Sequence, residues 1–396
     1  MQRYVGAFGG DASRVMFYGQ SSGAIHAQAM LVMPGVFGGL VHRVAVHSGA
    51  NPPDDCTGGW MDTNATSAMI ASHFEQSTGC RPKDTATNTT PGGGSSIING
   101  VAEGVRNCLR NISWQNVLHS AGALHNYKMT LDGYAIKDWP FVLMQQKKTL
   151  NVPVMVGHNS GESLACKANP GMAAGGLPSA VQRNIPVANR SALLPEILDM
   201  YVPGWKNDSA YCTALADAGG SSGVPACCRL YEGLLQDKAT NCPEDQVFGL
   251  LNAGGIDAVY GWRVNQQETC PPANYSRSPY TSPVESYHTI ELGWLFGTVS
   301  AWYISPPHGG GRWDPICTWG REERQFSNTM IQQWAHFAAT GEAAWPQYTQ
   351  EAPVRQNFEI GNISLWPNPA LRAKKCAVWN KLAVERRTQT CTTVAG

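Results

Sequence analysis

The chain has 396 residues, 43 per cent of them hydrophobic and 15 per cent charged, a balance that suits a large globular core better than disorder. Lys plus Arg and Asp plus Glu each total 29, so the formal net charge is zero and no electrostatic case exists for nucleic acid or an anionic membrane surface. No apolar run approaches the roughly 18 residues that a membrane span needs.

From the amino terminus, the apolar run Arg14 to Tyr18 predicts a strand. It leads straight into Gly19-Gln20-Ser21-Ser22-Gly23, behind which Ser22 to Met33 predicts a helix stopped by Pro34. A strand, a Gly-x-Ser-x-Gly turn and a helix form the layout of a nucleophile elbow, in which a sharp turn lifts one serine hydroxyl clear of the sheet. Ser21 is the expected nucleophile. Gly219-Gly220-Ser221-Ser222-Gly223 fits the same pattern, but Ala214 to Ala218 precedes it in place of a β-branched run and Pro225 stands where a helix would begin. That second match reads as a loop.

Further strands are predicted at Arg43 to His47, Val152 to Gly157 and Ala258 to Val264, with helical patterns between them. This alternation predicts a mostly parallel sheet covered by helices. Thr85 to Gly100, with Pro91-Gly92-Gly93-Gly94-Ser95-Ser96, reads as an exposed excursion, as do Ala173 to Gly176 and Gly309 to Gly311.

Apart from the adjacent Cys227 and Cys228, the twelve cysteines are spread singly, without the paired spacing of a zinc site, and read as disulfides. Seven Asn-x-Ser/Thr sequons, at Asn64, Asn88, Asn111, Asn189, Asn207, Asn274 and Asn362, agree with passage through the secretory pathway. Met1 to Val5 show no signal peptide.

The longer stretch around the elbow carries more than the pentapeptide. Phe8-Gly9-Gly10-Asp11-x-Ser13-Arg14-Val15 before it and Phe37-x-x-Leu40-x-His42-Arg43-x-x-x-x-Ser48-Gly49 after it resemble the type-B carboxylesterase and cholinesterase-like family of α/β hydrolases. Asn159-Ser160-Gly161-Glu162 resembles the loop bearing that family's triad acid, and His288-Thr289-Ile290-Glu291-Leu292-x-x-Leu295-Phe296-Gly297 its catalytic-histidine segment. Trp334-Ala335-His336-Phe337-Ala338-x-Thr340-Gly341 and Cys376-Ala377-Val378-Trp379-Asn380 are similar to its late helix and closing cysteine motif. The resemblance implies an α/β-hydrolase fold, with residues 1–396 as one domain, and disulfides joining Cys80 to Cys108 and Cys242 to Cys376. In that family the elbow lies behind early strands of the sheet. The chain is therefore expected to be the C-terminal two thirds of the domain, with any leader, the early strands and a glycine-rich turn supplying further oxyanion donors lying upstream. A sheet without its early strands is expected to present an unpaired apolar edge.

A serine is a poor nucleophile at neutral pH and needs a base within reach and a third group to orient that base. Ser21, Glu162 and His288 follow the α/β-hydrolase order of nucleophile, acid and histidine. His158 also follows a strand, but it precedes Glu162 and would reverse that order; Asp257 is the fallback acid. His288-x-x-Glu291 could place two metal ligands one helical turn apart, but no third ligand is apparent, and Glu291 reads as a supporting group. The N–H of Ser22, next after the nucleophile, is the expected oxyanion donor. Gln20 departs from the acidic residue that cholinesterases carry before the nucleophile, which disfavours a choline ester. The expected activity is that of a secreted serine carboxylic-ester hydrolase acting on a small-molecule ester without cofactor or metal. Its rivals are a catalytically silent adhesion or binding module and an inactive truncated gene product.

Overall fold

The computed structural model describes residues 2–49, 61–80, 103–122, 129–162, 176–185, 189–202, 226–256, 258–266, 286–298, 319–367 and 373–382. The decoy Ser221, Asp257, the stretch 85–100, the segments 173–175 and 309–311, and the sequons at Asn88, Asn207 and Asn274 lie outside them. The chain divides into two compact units, Met1–Asp54 with Pro140–Gly396, and Asp55–Trp139.

The strands in chain order are β1 (Met16–Gln20), β2 (Arg43–His47), β3 (Met61–Thr63), β4 (Met129–Leu131), β5 (Val154–Asn159), β6 (Val259–Val264), β7 (Val354–Phe358) and β8 (Ser364–Pro367). In the larger unit six of them form one sheet in the order β1-β2-β5-β6-β7-β8, parallel throughout except for the closing β7–β8 hairpin. Among the described residues β1 is one edge and β8 the other.

Parallel strands joined by helices bury both faces, and successive residues alternate between them. Val44, Val46, Val154, Val156 and Val259 face a core built with Ala24, Ala27 and Leu31 of helix α1 (Ser22–Leu31) and with Val247, Phe248 and Leu251 of the helix Cys242–Ala253. Their neighbours Ala45, Met155, Tyr260, Trp262 and Val264 face the opposite way. They pack against Ile290 and Trp294 of the helix Ile290–Phe296 and Met330, Trp334 and Phe337 of the helix Arg321–Thr340. A third cluster lies among the helices Leu177–Gln182, Arg190–Tyr201 and Ala226–Gln236 and residues 373–382, and includes both cysteines of the Cys242–Cys376 disulfide.

The predicted β2 has the observed bounds, and β1 and β5 each run two residues beyond their predicted ends. Hydrogen-bond pairing explains the extension: β1 stays in register with β2 as far as the Gln20 and His47 pair, and β5 with β6 as far as Asn159 and Val264. Pro34, expected only to stop α1, also opens a short helix, Pro34–Phe37, because a proline fits the first helical position, where no N–H is required.

The smaller unit carries the two-stranded β3–β4 sheet and the helices Asn64–Ser77, Glu103–Asn111 and Trp114–Gly122. Its Cys80–Cys108 disulfide forms as the resemblance implied. Cys227 and Cys228 lie in the helix Ala226–Gln236. Among the sequons, Asn111 and Asn362 are exposed and Asn189 is half-buried. No helix among the described residues is long and apolar enough to cross a membrane.

Candidate active site

The turn after β1 shows why the pentapeptide reads as it does. Ser21 has φ 57° and ψ −121°, a backbone conformation that L-residues seldom adopt and that costs on the order of 1–3 kcal/mol. Its N–H donates to the carbonyl of His47 at 2.9 Å, continuing the β1–β2 ladder one step past the strand end. Gly19 permits the turn to close: a Cβ there would stand 2.1 Å from the carbonyl oxygen of Gly23. Gly49 does the same from β2's side, since a Cβ on it would lie 2.5 Å from the carbonyl oxygen of Ser21. A Cβ on Gly23 meets nothing within 4 Å, so the close approach rests on the first glycine of the motif. Ser22 opens α1, where helix geometry gives an N–H no intrahelical acceptor.

Glu162 follows β5, and His288 lies two residues before the helix Ile290–Phe296, ahead of its N-cap Thr289. Their loops are bridged between Gly161 and Tyr287, with the Gly161 N–H donating to Ser286 O at 2.7 Å and the Ser286 N–H to Ser160 Oγ at 3.3 Å. The structure thus brings together two residues 126 positions apart: His288 Nδ1 and Glu162 Oε2 are 2.5 Å from one another. The other carboxylate oxygen, Oε1, accepts the N–H of Asn159 at 2.6 Å. Gln236 clamps the same turn, accepting the Glu162 N–H at 2.8 Å and donating to Asn159 O at 3.1 Å.

With Nδ1 turned to the carboxylate, His288 Nε2 points to the end of β1, 3.4 Å from Nε2 of Gln20 and thus beside the residue preceding Ser21. No hydrogen bond joins Ser21 to His288 in this structure; the residue in contact with the ring is Gln20, which precedes Ser21 in the chain. Burial alone would lower the His288 pKa, but the Glu162 hydrogen bond, the Glu162 charge and the Glu291 charge outweigh it and hold it above the ordinary 6.5. Three non-glycine residues with positive φ, Ser21, Ser48 and Thr289, occupy this region. Such strain persists only where the surroundings over-determine it.

The rival His158 is fully buried, with Nδ1 2.9 Å from Glu244 Oε2, in a cluster where Arg355 also contacts Glu244 and Asp245. Glu291 is also fully buried; its Oε2 accepts Asn159 Nδ2 at 2.5 Å and its Oε1 lies 3.6 Å from Nδ1 of His47. Sequence reasoning missed Gln236 and His47. A signal for His47 existed, since it is the last residue of a predicted parallel strand and ligands of open α/β sheets gather at those carboxyl ends. Gln236 gave none, being one polar residue within a helix.

A family model described as "Carboxylesterase family" matches residues 1–379. Human carboxylesterase 3 is 23% identical over 383 residues, covering 92% of this chain and 57% of the relative. The rat pyrethroid hydrolase Ces2e is 22% identical over 392 residues, covering 96% of this chain and 59% of the relative. Acetylcholinesterase of Bungarus fasciatus is 37% identical over a short segment of 67 residues, 15% of this chain and 11% of the relative. The chain therefore spans less than two thirds of the length of these relatives. The parallel sheet covered by helices on both faces is the α/β-hydrolase fold, and with the family model matched across residues 1–379 the chain belongs to the carboxylesterase family.

Proposed function

We propose that this chain carries the catalytic machinery of a serine carboxylic-ester hydrolase, with residues 1–396 forming one hydrolase domain. Ser21 is the nucleophile, His288 the general base and acid, Glu162 the residue that orients His288, and the Ser22 N–H an oxyanion donor. The observation that carries the reading is the 2.5 Å pair of His288 Nδ1 with Glu162, which leaves Nε2 facing the strand end that bears Ser21.

The chemistry follows from that polarity. A proton on Nδ1, donated to the carboxylate, leaves the Nε2 lone pair as the acceptor. As the substrate seats, Ser21 Oγ attacks the ester carbonyl carbon and its proton passes to His288 Nε2. The tetrahedral intermediate places its negative oxygen at the Ser22 N–H. Collapse expels the alcohol, which takes the proton back from Nε2, and leaves an acyl-serine. Water, activated by the same imidazole, then releases the acid and restores Ser21. The carboxylate beneath the ring stabilises the imidazolium that exists between the two transfers.

Gln20 bears on the substrate. The group that protonates the leaving alcohol is Nε2, and Gln20 is 3.4 Å from it. The side chain beside the departing alcohol is therefore a neutral amide, which favours uncharged small esters over a choline ester. The disulfides and the exposed sequons support a secreted glycoprotein.

The test is labelling by a fluorophosphonate probe followed by peptide mapping. A modified peptide containing Ser21, lost on Ser21→Ala, is the expected result. Absence of labelling from folded protein would favour a silent binding module or an inactive product, and a label on Ser221 would mean that the elbow is elsewhere.

A further inference from the structure

His47 takes no part in the chemistry above, yet it is a fully enclosed titratable group beside the site. It ends β2 with its ring fully buried, and its backbone carbonyl holds the N–H of Ser21. Its ring is packed against Tyr18 and Trp262, with centroids 4.5 Å and 4.3 Å away.

Hydrogen bonding fixes its protonation state. An indole N–H can only donate, and Trp334 Nε1 lies 2.7 Å from His47 Nε2. That nitrogen must therefore accept and carry no proton. The neutral ring then bears its proton on Nδ1, which faces Glu291 Oε1 at 3.6 Å and Tyr18 Oη at 3.5 Å. A second proton would set an N–H of His47 against the N–H of Trp334. Burial acts in the same sense and lowers the pKa of His47 despite the carboxylates of Glu291 and Glu162.

The carboxylate that this N–H faces is itself tied to the active site. Asn159 touches both acids: its backbone N–H donates to Glu162 Oε1 and its side-chain amide to Glu291 Oε2. Glu291 Oε1 is buried and has no hydrogen bond within the usual distance, and the Nδ1–H of His47 faces it at 3.6 Å.

We infer that His47 is a positioning residue of this site: the Trp334 indole locks it as the neutral Nδ1–H tautomer, and in that form it holds the buried Glu291 carboxylate behind the Glu162–His288 pair. Held there, the Glu291 carboxylate adds its charge to that of Glu162 in support of the imidazolium that His288 becomes when it takes the serine proton. The titratable groups facing His47 are Tyr18 from β1, Glu291 from the helix Ile290–Phe296 and Glu162 from the turn after β5; Trp262 and Trp334 present only aromatic rings and the indole N–H. The inference rests on the esterase reading for its use, but not for its test.

The test is nuclear magnetic resonance of ¹⁵N-histidine-labelled protein, which needs no turnover. In the native protein His47 should show an unprotonated Nε2 and a protonated Nδ1, with no titration between about pH 5 and 8, the range where an unperturbed histidine changes charge. His47→Leu should lower the His288 titration midpoint by on the order of half a pH unit or more, about threefold in the protonation equilibrium. His47→Gln should restore it, because an amide can accept from Trp334 through its oxygen and donate to Glu291 through its nitrogen. Glu291→Gln should reproduce the fall, and adding His47→Leu to it should produce no further one. A proton on Nε2, or an unmoved His288 midpoint in folded His47→Leu protein, would overturn the inference. So would a full additional fall in the Glu291→Gln background. Failure of fluorophosphonate labelling with these titrations intact would count against the esterase reading alone.

Discussion

The N–H of Ser21 and the carbonyl of His47 are 2.9 Å apart, so a residue held at positive φ is fastened to the strand beside it. That fastening holds a serine at φ 57° against its own preference. Glycine has no Cβ to object to this conformation. Ser21→Gly is therefore expected to stabilise the protein by about 0.5–1 kcal/mol in urea unfolding while abolishing fluorophosphonate labelling. Ser21→Ala should abolish labelling without that gain, and Ser221→Ala should leave labelling intact. Equal stability for the Gly and Ala variants would mean that the turn is not strained in solution.

Gly19 bears on how α1 meets β1. A methyl group placed on it would lie 2.1 Å from the Gly23 carbonyl oxygen and 2.3 Å from its carbon, both of them backbone atoms that cannot swing aside. Gly19→Ala should then cost about 1–3 kcal/mol in unfolding free energy and slow labelling of Ser21 sharply, because separating helix from strand moves the hydroxyl. Native stability and native labelling in this variant would show that the elbow closes less tightly than described.

In the proposed mechanism His288 is the base, so its raised pKa should set the acid limit of reactivity. His288 serves as a base only when neutral, so the rate of fluorophosphonate labelling should fall as pH drops through a midpoint above the ordinary 6.5. Glu162→Gln removes the hydrogen bond to a carboxylate and its charge together, so the midpoint should move down toward neutral-imidazole behaviour. The plateau rate should fall by about 10³ to 10⁴, the scale on which an orienting acid matters in a serine triad. An acid limb below 6.5 in the native protein would contradict the raised pKa.

How much of this could be read from the chain depends on which residues follow a pattern. β2 was legible to its ends because Arg43-Val44-Ala45-Val46-His47 is a short apolar run between turn residues, and a strand buried on both faces reads in that way. β7 was not, because Val354-Arg355-Gln356-Asn357-Phe358 carries three polar residues in its middle. All three are buried, Arg355 by its ion pairs with Glu244 and Asp245, and no local pattern announces partners 110 positions away. In the candidate site, Ser21, Glu162 and His288 were legible as motif residues. His47, Gln236 and the inward turn of Glu291 were not, since each is defined by contacts between distant segments.

Cys242–Cys376 pins residues 373–382 to the start of the helix Cys242–Ala253 and closes 134 positions of chain, whereas Cys80–Cys108 closes 28. Cross-linking removes loop-closure entropy from the unfolded chain, and the chain-entropy account gives about 5 kcal/mol for the longer loop and about 3.5 for the shorter. The longer bond also supports a cluster, because Cys242 and Cys376 are themselves core residues packed with Leu234, Trp379 and Leu382. The paired substitution Cys242→Ser with Cys376→Ser should therefore lower unfolding stability more than Cys80→Ser with Cys108→Ser, and it should loosen the helical residues 373–382 to proteolysis first. Non-reducing peptide mapping of protein from a secretory host should recover both native pairs. Recovery of these four cysteines as free thiols would remove the support they give to an extracellular setting, and a smaller loss from opening the longer loop would show that the unfolded chain retains structure across it.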